Sequence, residues 1–144
     1  MTLEGKTILI TGAGVRLGRA MAIAIARDGG NIILHYNRSR KPAEETQAEI
    51  ESLGGSAHLL QSDLGDSESA QQLITEAFTI SPLYALVNSA SMFEPLELHS
   101  TSLEAWELHF KVNLTAPFLL SKSFAAIKEA NGPGRIINIL DWRA

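Results

Sequence analysis

Five short apolar runs punctuate the chain: Thr7–Thr11, Asn31–Tyr36, Ala57–Gln61, Tyr84–Asn88 and Arg135–Leu140. Their apolar residues are consecutive more than alternating, the pattern of strands buried on both faces of a parallel sheet. Helical patterns lie between them. Residues 16–28 are rich in Ala, Ile and Met and stop at Gly29-Gly30. The segment 42–53 opens on Pro42, a favoured first-turn residue, and carries Ala43, Ile50 and Leu53. Asp66 is placed to cap a helix over 67–78, with Ala70, Leu73, Ile74, Ala77 and Phe78 facing inward. Thr101 and Glu104 form a capping-box pattern ahead of the longest helix. One side of that helix carries Leu103, Trp106, Phe110, Leu114, Phe118, Ser121 and Ala125. Pro117 predicts a bend in it, or two helices in near-continuity.

Repeated βα alternation predicts a Rossmann-type α/β fold, a doubly wound parallel sheet of order 3-2-1-4-5 between two helical layers. At 144 residues the chain fits one domain, 1–144. It stops four residues after the fifth run, so it reads as a fragment of a longer single-domain protein, its sheet incomplete at the C-terminal side.

Composition narrows the function classes. Hydrophobic residues make up 45% and charged residues 19%, an ordinary globular balance. The net charge of −4 argues against nucleic-acid or anionic-membrane partners, which need clustered positive charge. With no cysteine, disulfides, thiolate catalysis and Cys-ligated metals are excluded, and a reducing cytosol fits. The N-terminus lacks the basic and long apolar regions of a signal peptide, and no apolar stretch approaches the roughly 20 residues that span a bilayer. The expectation is a soluble cytoplasmic domain. His35, His58, His99 and His109 lack metal-ligand spacing and read as structural or exposed. Trp106 and Trp142 read as packing residues, and Glu44, Glu45, Glu49 and Glu51 as the solvated face of a helix.

The chemistry concentrates after the first strand, in Thr11-Gly12-Ala13-Gly14-Val15-Arg16-Leu17-Gly18. Here Gly12 permits a tight turn, Gly14 lets backbone approach a pyrophosphate, and Gly18 lets the helix sit close on the strand. Free N–H groups at the helix start then meet negative phosphates. An ordinary βα turn with incidental glycines is the bland alternative; position between a buried strand and an Ala-rich helix favours phosphate binding. The second strand ends in His35-Tyr36-Asn37-Arg38-Ser39-Arg40-Lys41. A site for NAD usually places a carboxylate there, and none is present. Arg38 offers a forked donor for a 2′-phosphate, and Asn37 and Ser39 add hydrogen bonds, so NADP(H) is the expected cofactor. The run Arg38–Lys41 as a merely solvated basic loop is the alternative.

At these residues the chain resembles the short-chain dehydrogenase/reductase family over essentially its whole length. The Thr11–Gly18 loop resembles the family's TGxxxGxG, Asp63-Leu64 its adenine-contacting dipeptide, and Asn88-Ser89-Ala90-Ser91 its NNAG motif. Asn113, after Val112, matches the Asn of the Asn-Ser-Tyr-Lys catalytic set. The resemblance implies cofactor contacts from Thr11, Gly12, Gly14, Arg16, Leu17 and Gly18, and from Tyr36, Asn37, Arg38 and Ser39. It implies further contacts from Asp63, Leu64, Asn88, Ala90 and Ser91. Three departures from the family pattern, Arg16, Ser91 and Asp141, together with His35–Ser39, look like the pteridine reductase branch. That branch implies that Arg16 and Ser91 help hold cofactor phosphate and pterin, that the Phe93 ring stacks on the pterin, and that Asp141 works with a Tyr in proton delivery. Ser89 stands where the branch commonly has Asn.

Read as residues alone, Phe93 is a stacking wall or a loop anchor in the core. Asp141 lies at a strand's C-terminal end, where open α/β sheets place ligands, with helix capping or solvation as alternatives. Asn113, on the apolar side of its helix, must be hydrogen-bonded if buried. It either braces the bend at Pro117 or, in the family role, holds a water near a catalytic Lys.

The implied reaction is hydride transfer from a nicotinamide to a C=N or C=O bond of a small molecule. The family's Tyr-x-x-x-Lys pair is absent: the only tyrosines are Tyr36 and Tyr84, and neither has a Lys four residues later. A reductase parent whose 144-residue piece lacks turnover is therefore expected. A general ketone or ketoacyl reductase and a non-catalytic NADP(H)-sensing module are the alternatives. Family members commonly form dimers or tetramers through the long helix; the apolar stripe over 103–128 fits that, or packing on the sheet alone.

Overall fold

The computed structural model describes residues 2–141; Trp142 lies outside them. Strands β1 (Thr7–Ile10), β2 (Asn31–Tyr36), β3 (Ala57–Gln61), β4 (Leu83–Asn88) and β5 (Arg135–Asn138) form one sheet of order β3-β2-β1-β4-β5. Every pairing is parallel, and the order is the one the βα alternation predicts. Helices α1 (Arg16–Arg27), α2 (Arg40–Ser52) and α3 (Ser67–Ile80) connect the first four strands. Helices α4 (Leu103–Phe110) and α5 (Ala116–Asn131) precede β5 and are joined by a π-helical turn, Lys111–Thr115.

Alternation of side chains along each strand explains the continuous apolar runs. Ile8, Ile10, Ile32 and Leu34 pack on one face with Ala22, Ile23 and Ala26 of α1 and Ile50 of α2. Leu9, Ile33 and Leu86 point the other way, onto Leu73, Ile74 and Ala77 of α3 and Leu120 and Phe124 of α5. A bulge adjusts β4: Thr7 pairs with Leu83 but Ile8 with Ala85, which leaves Tyr84 as an extra residue. Leu83 thereby shares the face of Leu86.

Element ends follow local chemistry. Gly29, at φ +85°, ends α1 and donates to the Ala26 carbonyl, while Gly30 donates to Ile25. Helix α2 begins at Arg40, ahead of the expected Pro42, because a first turn has no use for the missing N–H and Arg40 pairs with Glu44 across it. Asp66 caps α3 by accepting from the Ser69 N–H at 2.7 Å, and the hydrogen bonds from Ser69 hold its carboxyl below the usual range. The cap of α4 corrects the expected box. Ser102, not Thr101, accepts from Ala105, while the Thr101 hydroxyl bonds back to Glu97. Glu104 stays near the cap, its carboxyl lowered by its own backbone N–H and then by Ser102.

Two expectations about the C-terminal region also change. Strand β5 ends at Asn138, not Leu140, and is exposed throughout, because it is an edge strand with β4 as its one neighbour. The long apolar stripe does not pack on the sheet: Leu103, Trp106, Phe110, Leu114 and Phe118 are all exposed. The face that enters the core carries Ala116, Leu120 and Phe124 instead. Trp106 thus packs only locally, its ring 4.8 Å from that of Phe110. Pro117 falls in the first turn of α5, and the π turn before it takes up the irregularity predicted there.

Candidate functional site

Strand β1 is followed by a crossover to one side, to β2, and β4 lies on its other side, so a crevice opens at the strands' C-terminal ends. A cleft of about 770 Å³ occupies it. The glycine loop contributes Gly12, Arg16, Leu17 and Gly18, and the segment after β2 contributes Asn37, Arg38 and Ser39. Asp63, Leu64, Ala90, Ser91 and Asp141, all expected at the site, line it as well.

The glycines are there for different reasons. Gly12 sits at φ +66°, and a Cβ on it would lie 2.9 Å from the Ala90 Cα. At Gly18 a Cβ would strike the Gly12 carbonyl, so the helix seats directly on the loop as expected. Gly14 turns its Cα to α2, where a Cβ would come 3.0 Å from the Ala43 nitrogen. Its carbonyl accepts from the buried Thr46 hydroxyl, so the absence of a side chain lets α2 sit close on the loop. Arg16, where the family loop has glycine, adopts φ +49° and is the one non-glycine at positive φ among the described residues.

Beneath the loop lies a residue whose role the sequence did not disclose. His35, expected to be structural, is buried in β2 and also lines the cleft. Its Nδ1 accepts from the Gly12 N–H at 3.2 Å, so Nε2 carries the proton donated to the Ser62 carbonyl at 3.0 Å. Burial pushes its pKa down to about 4, against smaller upward pulls from the Ser62 hydrogen bond and Asp63. A polar ring inside an otherwise apolar strand beside a glycine loop was the available signal.

Several expected contact residues support the cleft from outside its lining. The Thr11 hydroxyl accepts from the Ser89 and Ala90 N–H groups, both at 3.0 Å, and so ties the loop after β4 to the end of β1. Tyr36 is buried off the cleft. Asn88 is buried too, its Nδ2 donating to Asn138 Oδ1 at 2.8 Å and Ser121 Oγ at 3.2 Å. Asn113 lies in the π turn, where its Oδ1 accepts from the Met92 N–H and its Nδ2 donates to the Met92 carbonyl, each at 2.8 Å. It braces the loop after β4 more than the bend at Pro117. Phe93 is 85% exposed and does not line the cleft, which removes the core-anchor reading; its neighbours Met92 and Glu94 do line it. Leu108 of α4 and Val112 of the π turn complete that side and were not singled out from the sequence.

The cleft carries charge of both signs: Arg16 and Arg38 line it, as do Asp63, Glu94 and Asp141, and His35 stays neutral at ordinary pH. The Asp63 carboxylate is engaged by Asn37 Nδ2 at 3.1 Å and by the Gly65 N–H at 2.9 Å. Gly12, with no space for a side chain, leaves its backbone at the cleft floor.

Comparison with known proteins agrees with this geometry. Residues 6–140 match the family model described as short chain dehydrogenase. The chain is 33% identical over 138 residues to a 3-oxoacyl-[acyl-carrier-protein] reductase of Synechocystis, covering 95% of this chain and 56% of the relative. Among solved structures, a 3-oxoacyl (acyl-carrier-protein) reductase of Agrobacterium tumefaciens with NADP bound superposes with a TM-score of 0.91. It is 28% identical, over 98% of this chain and 54% of that one. The FolM alternative dihydrofolate reductase 1 of Brucella canis, complexed with NADP, superposes with a TM-score of 0.89 at 29% identity, over 99% and 58%. The chain thus spans little more than half the length of these relatives. Among the described residues, no helix is long and apolar enough to cross a membrane.

Proposed function

The chain belongs to the short-chain dehydrogenase family, and we propose that it is the NADP(H)-binding portion of a short-chain reductase. One observation carries this reading: Arg16 and Arg38 line one cleft with the glycine loop, and no carboxylate stands at the end of β2. The forked Arg38 guanidinium meets a 2′-phosphate, with Asn37 and Ser39 beside it. Backbone N–H groups at the start of α1 and the Arg16 side chain face the pyrophosphate. Asp63 and Leu64 flank the adenine end, and Ala90 and Ser91 line the cleft from the β4 side. When bound, the nicotinamide supplies a hydride to a C=O or C=N carbon. Asp141, at the β5 side of the cleft, takes part in proton delivery, and Asn113 keeps the loop after β4 in place.

For the substrate we favour a pterin, held between Arg16 and Ser91, which line the same cleft. The likeness to a dihydrofolate reductase supports this reading. A ketoacyl substrate is the second reading, supported by the names of two relatives and by the outward placement of Phe93. A second copy of the chain is the proposed macromolecular partner, docking on the exposed stripe of α4 and α5.

The 144-residue chain has no Tyr-x-x-x-Lys pair and is proposed to bind without turnover. Titration with NADPH followed by ligand fluorescence, and NADPH oxidation with a dihydropterin or a ketoacyl thioester, test both halves. Saturable binding with background oxidation is expected. Absence of binding defeats the cofactor reading, and steady oxidation with either substrate defeats the no-turnover reading while identifying the substrate class.

A further inference from the structure

The loop after β4 carries no secondary structure from Ser89 to Leu96, yet it forms one wall of the cleft through Ser91, Met92 and Glu94. Two side chains from the helix opposite hold its backbone. Asn113 brackets Met92 at both N–H and carbonyl. His109, four residues earlier, accepts from the Glu94 N–H through Nε2 at 3.1 Å, while its Nδ1 faces the Ala105 carbonyl at 2.7 Å. Because Nε2 is the acceptor, Nδ1 carries the proton and donates to Ala105.

His109 and Asn113 thus meet the N–H groups of Glu94 and Met92, two residues apart on the loop. Phe93, between them, is turned outward.

We propose that His109 is a positioning residue for the loop-side wall of the cleft: as the Nδ1–H tautomer it accepts the Glu94 amide and, together with Asn113, fixes Met92 and Glu94 against the site. Its importance for substrate rests on the reading of the cleft as a cofactor and substrate site; the latch itself does not. His109 touches no reacting atom and acts through the Glu94 backbone.

Two conservative variants separate this role from simple helix support. In His109→Gln the side-chain oxygen reaches the place of Nε2 and retains the Glu94 acceptor. In His109→Asn the amide nitrogen takes the place of Nδ1 and retains only the bond to Ala105. Amide hydrogen exchange of the 144-residue chain, read at Met92 and Glu94, is the measurement. Slow exchange in the wild type and His109→Gln is expected. At Glu94, exchange at least about fivefold faster is expected in His109→Asn and His109→Ala, the scale of one lost hydrogen bond. Wild-type protection in His109→Asn, or a proton on Nε2 in the wild-type imidazole ¹⁵N spectrum, overturns the proposal. An NADPH titration of the same wild-type sample reports separately on the cofactor reading, since its failure leaves the exchange pattern interpretable.

Discussion

The Gly12 N–H donates to Nδ1 of His35 at 3.2 Å, so the turn of the glycine loop is pinned by an imidazole buried in the neighbouring strand. The bond requires a neutral ring. Burial lowers the His35 pKa from 6.5 to about 4, so between these values the unfolded chain takes up a proton that the folded chain refuses. Stability from this group is complete above pH 6.5 and falls as pH drops towards about 4. The full span corresponds to about 3 kcal/mol. Urea unfolding at pH 7.5 and 4.5 should show a larger acid loss for the wild type than for His35→Gln; parallel losses would remove His35 as the acid-labile element.

Arg38 should set cofactor preference. Arg38→Ala is expected to weaken NADPH binding about 10- to 100-fold, the range of a charge-assisted hydrogen bond to phosphate, and to leave NADH nearly unchanged. Calorimetric titration of both cofactors checks this. In the wild type, NADPH should raise the melting temperature more than NADH does; an equal or larger shift with NADH would defeat the assignment.

Arg16 couples strain to binding. Its φ of +49° is costly for a side-chain-bearing residue and free for glycine. Arg16→Gly should therefore hold or raise the stability of the free chain, by up to about 1 kcal/mol. The same change should weaken NADPH binding, because the guanidinium leaves the cleft. Chemical denaturation and NADPH titration on one variant reveal whether the two effects oppose each other as expected.

Gly18 and Gly54 make a contrasting pair. A methyl group on Gly18 meets backbone of the Gly12 turn, which cannot move without opening the loop. Gly54, at φ +81°, has nothing within 4 Å of such a group. Gly18→Ala should cost about 3 kcal/mol, the upper end for overpacking, because the clash is with backbone. Gly54→Ala should cost only the conformational penalty of about 1 kcal/mol. Similar melting temperatures for the two variants would contradict the close seating of α1.

The stripe on α4 and α5 should govern self-association. Phe118 is 61% exposed, so Phe118→Glu disturbs no core contact. If a second copy covers this face, the variant sediments as a smaller species than the wild type with an unchanged melting profile of the monomer. Identical sedimentation of the two would place any association elsewhere.

Much of the fold was legible because its signals are local and repeated. Each apolar run of four to six residues between amphipathic segments reports a strand, covered on both faces in β1, β2 and β4, and the glycine loop marks the first βα turn. Arg38 and the missing carboxylate at the end of β2 were legible for the same reason, since position along one strand is enough to place them. The capping residue of α4 was not, because Thr101 and Ser102 are chemically alike and only the backbone path selects Ser102.

The sequence by itself determined the order of elements, the parallel sheet, the glycine loop and the basic residues that follow β2. Tertiary structure alone decided which of these residues line the cleft and which hold it from behind. His35, Thr11 and Asn113 act on backbone groups 23, 78 and 21 residues away in the chain, contacts that no periodicity encodes. Gly14 shows the same limit. Its close contact with Ala43 is set by where α2 returns across the sheet, which its place in the motif does not disclose. Hydrophobic spacing is a property of consecutive residues, whereas a backbone hydrogen bond across the fold exists only once the chain has closed on itself.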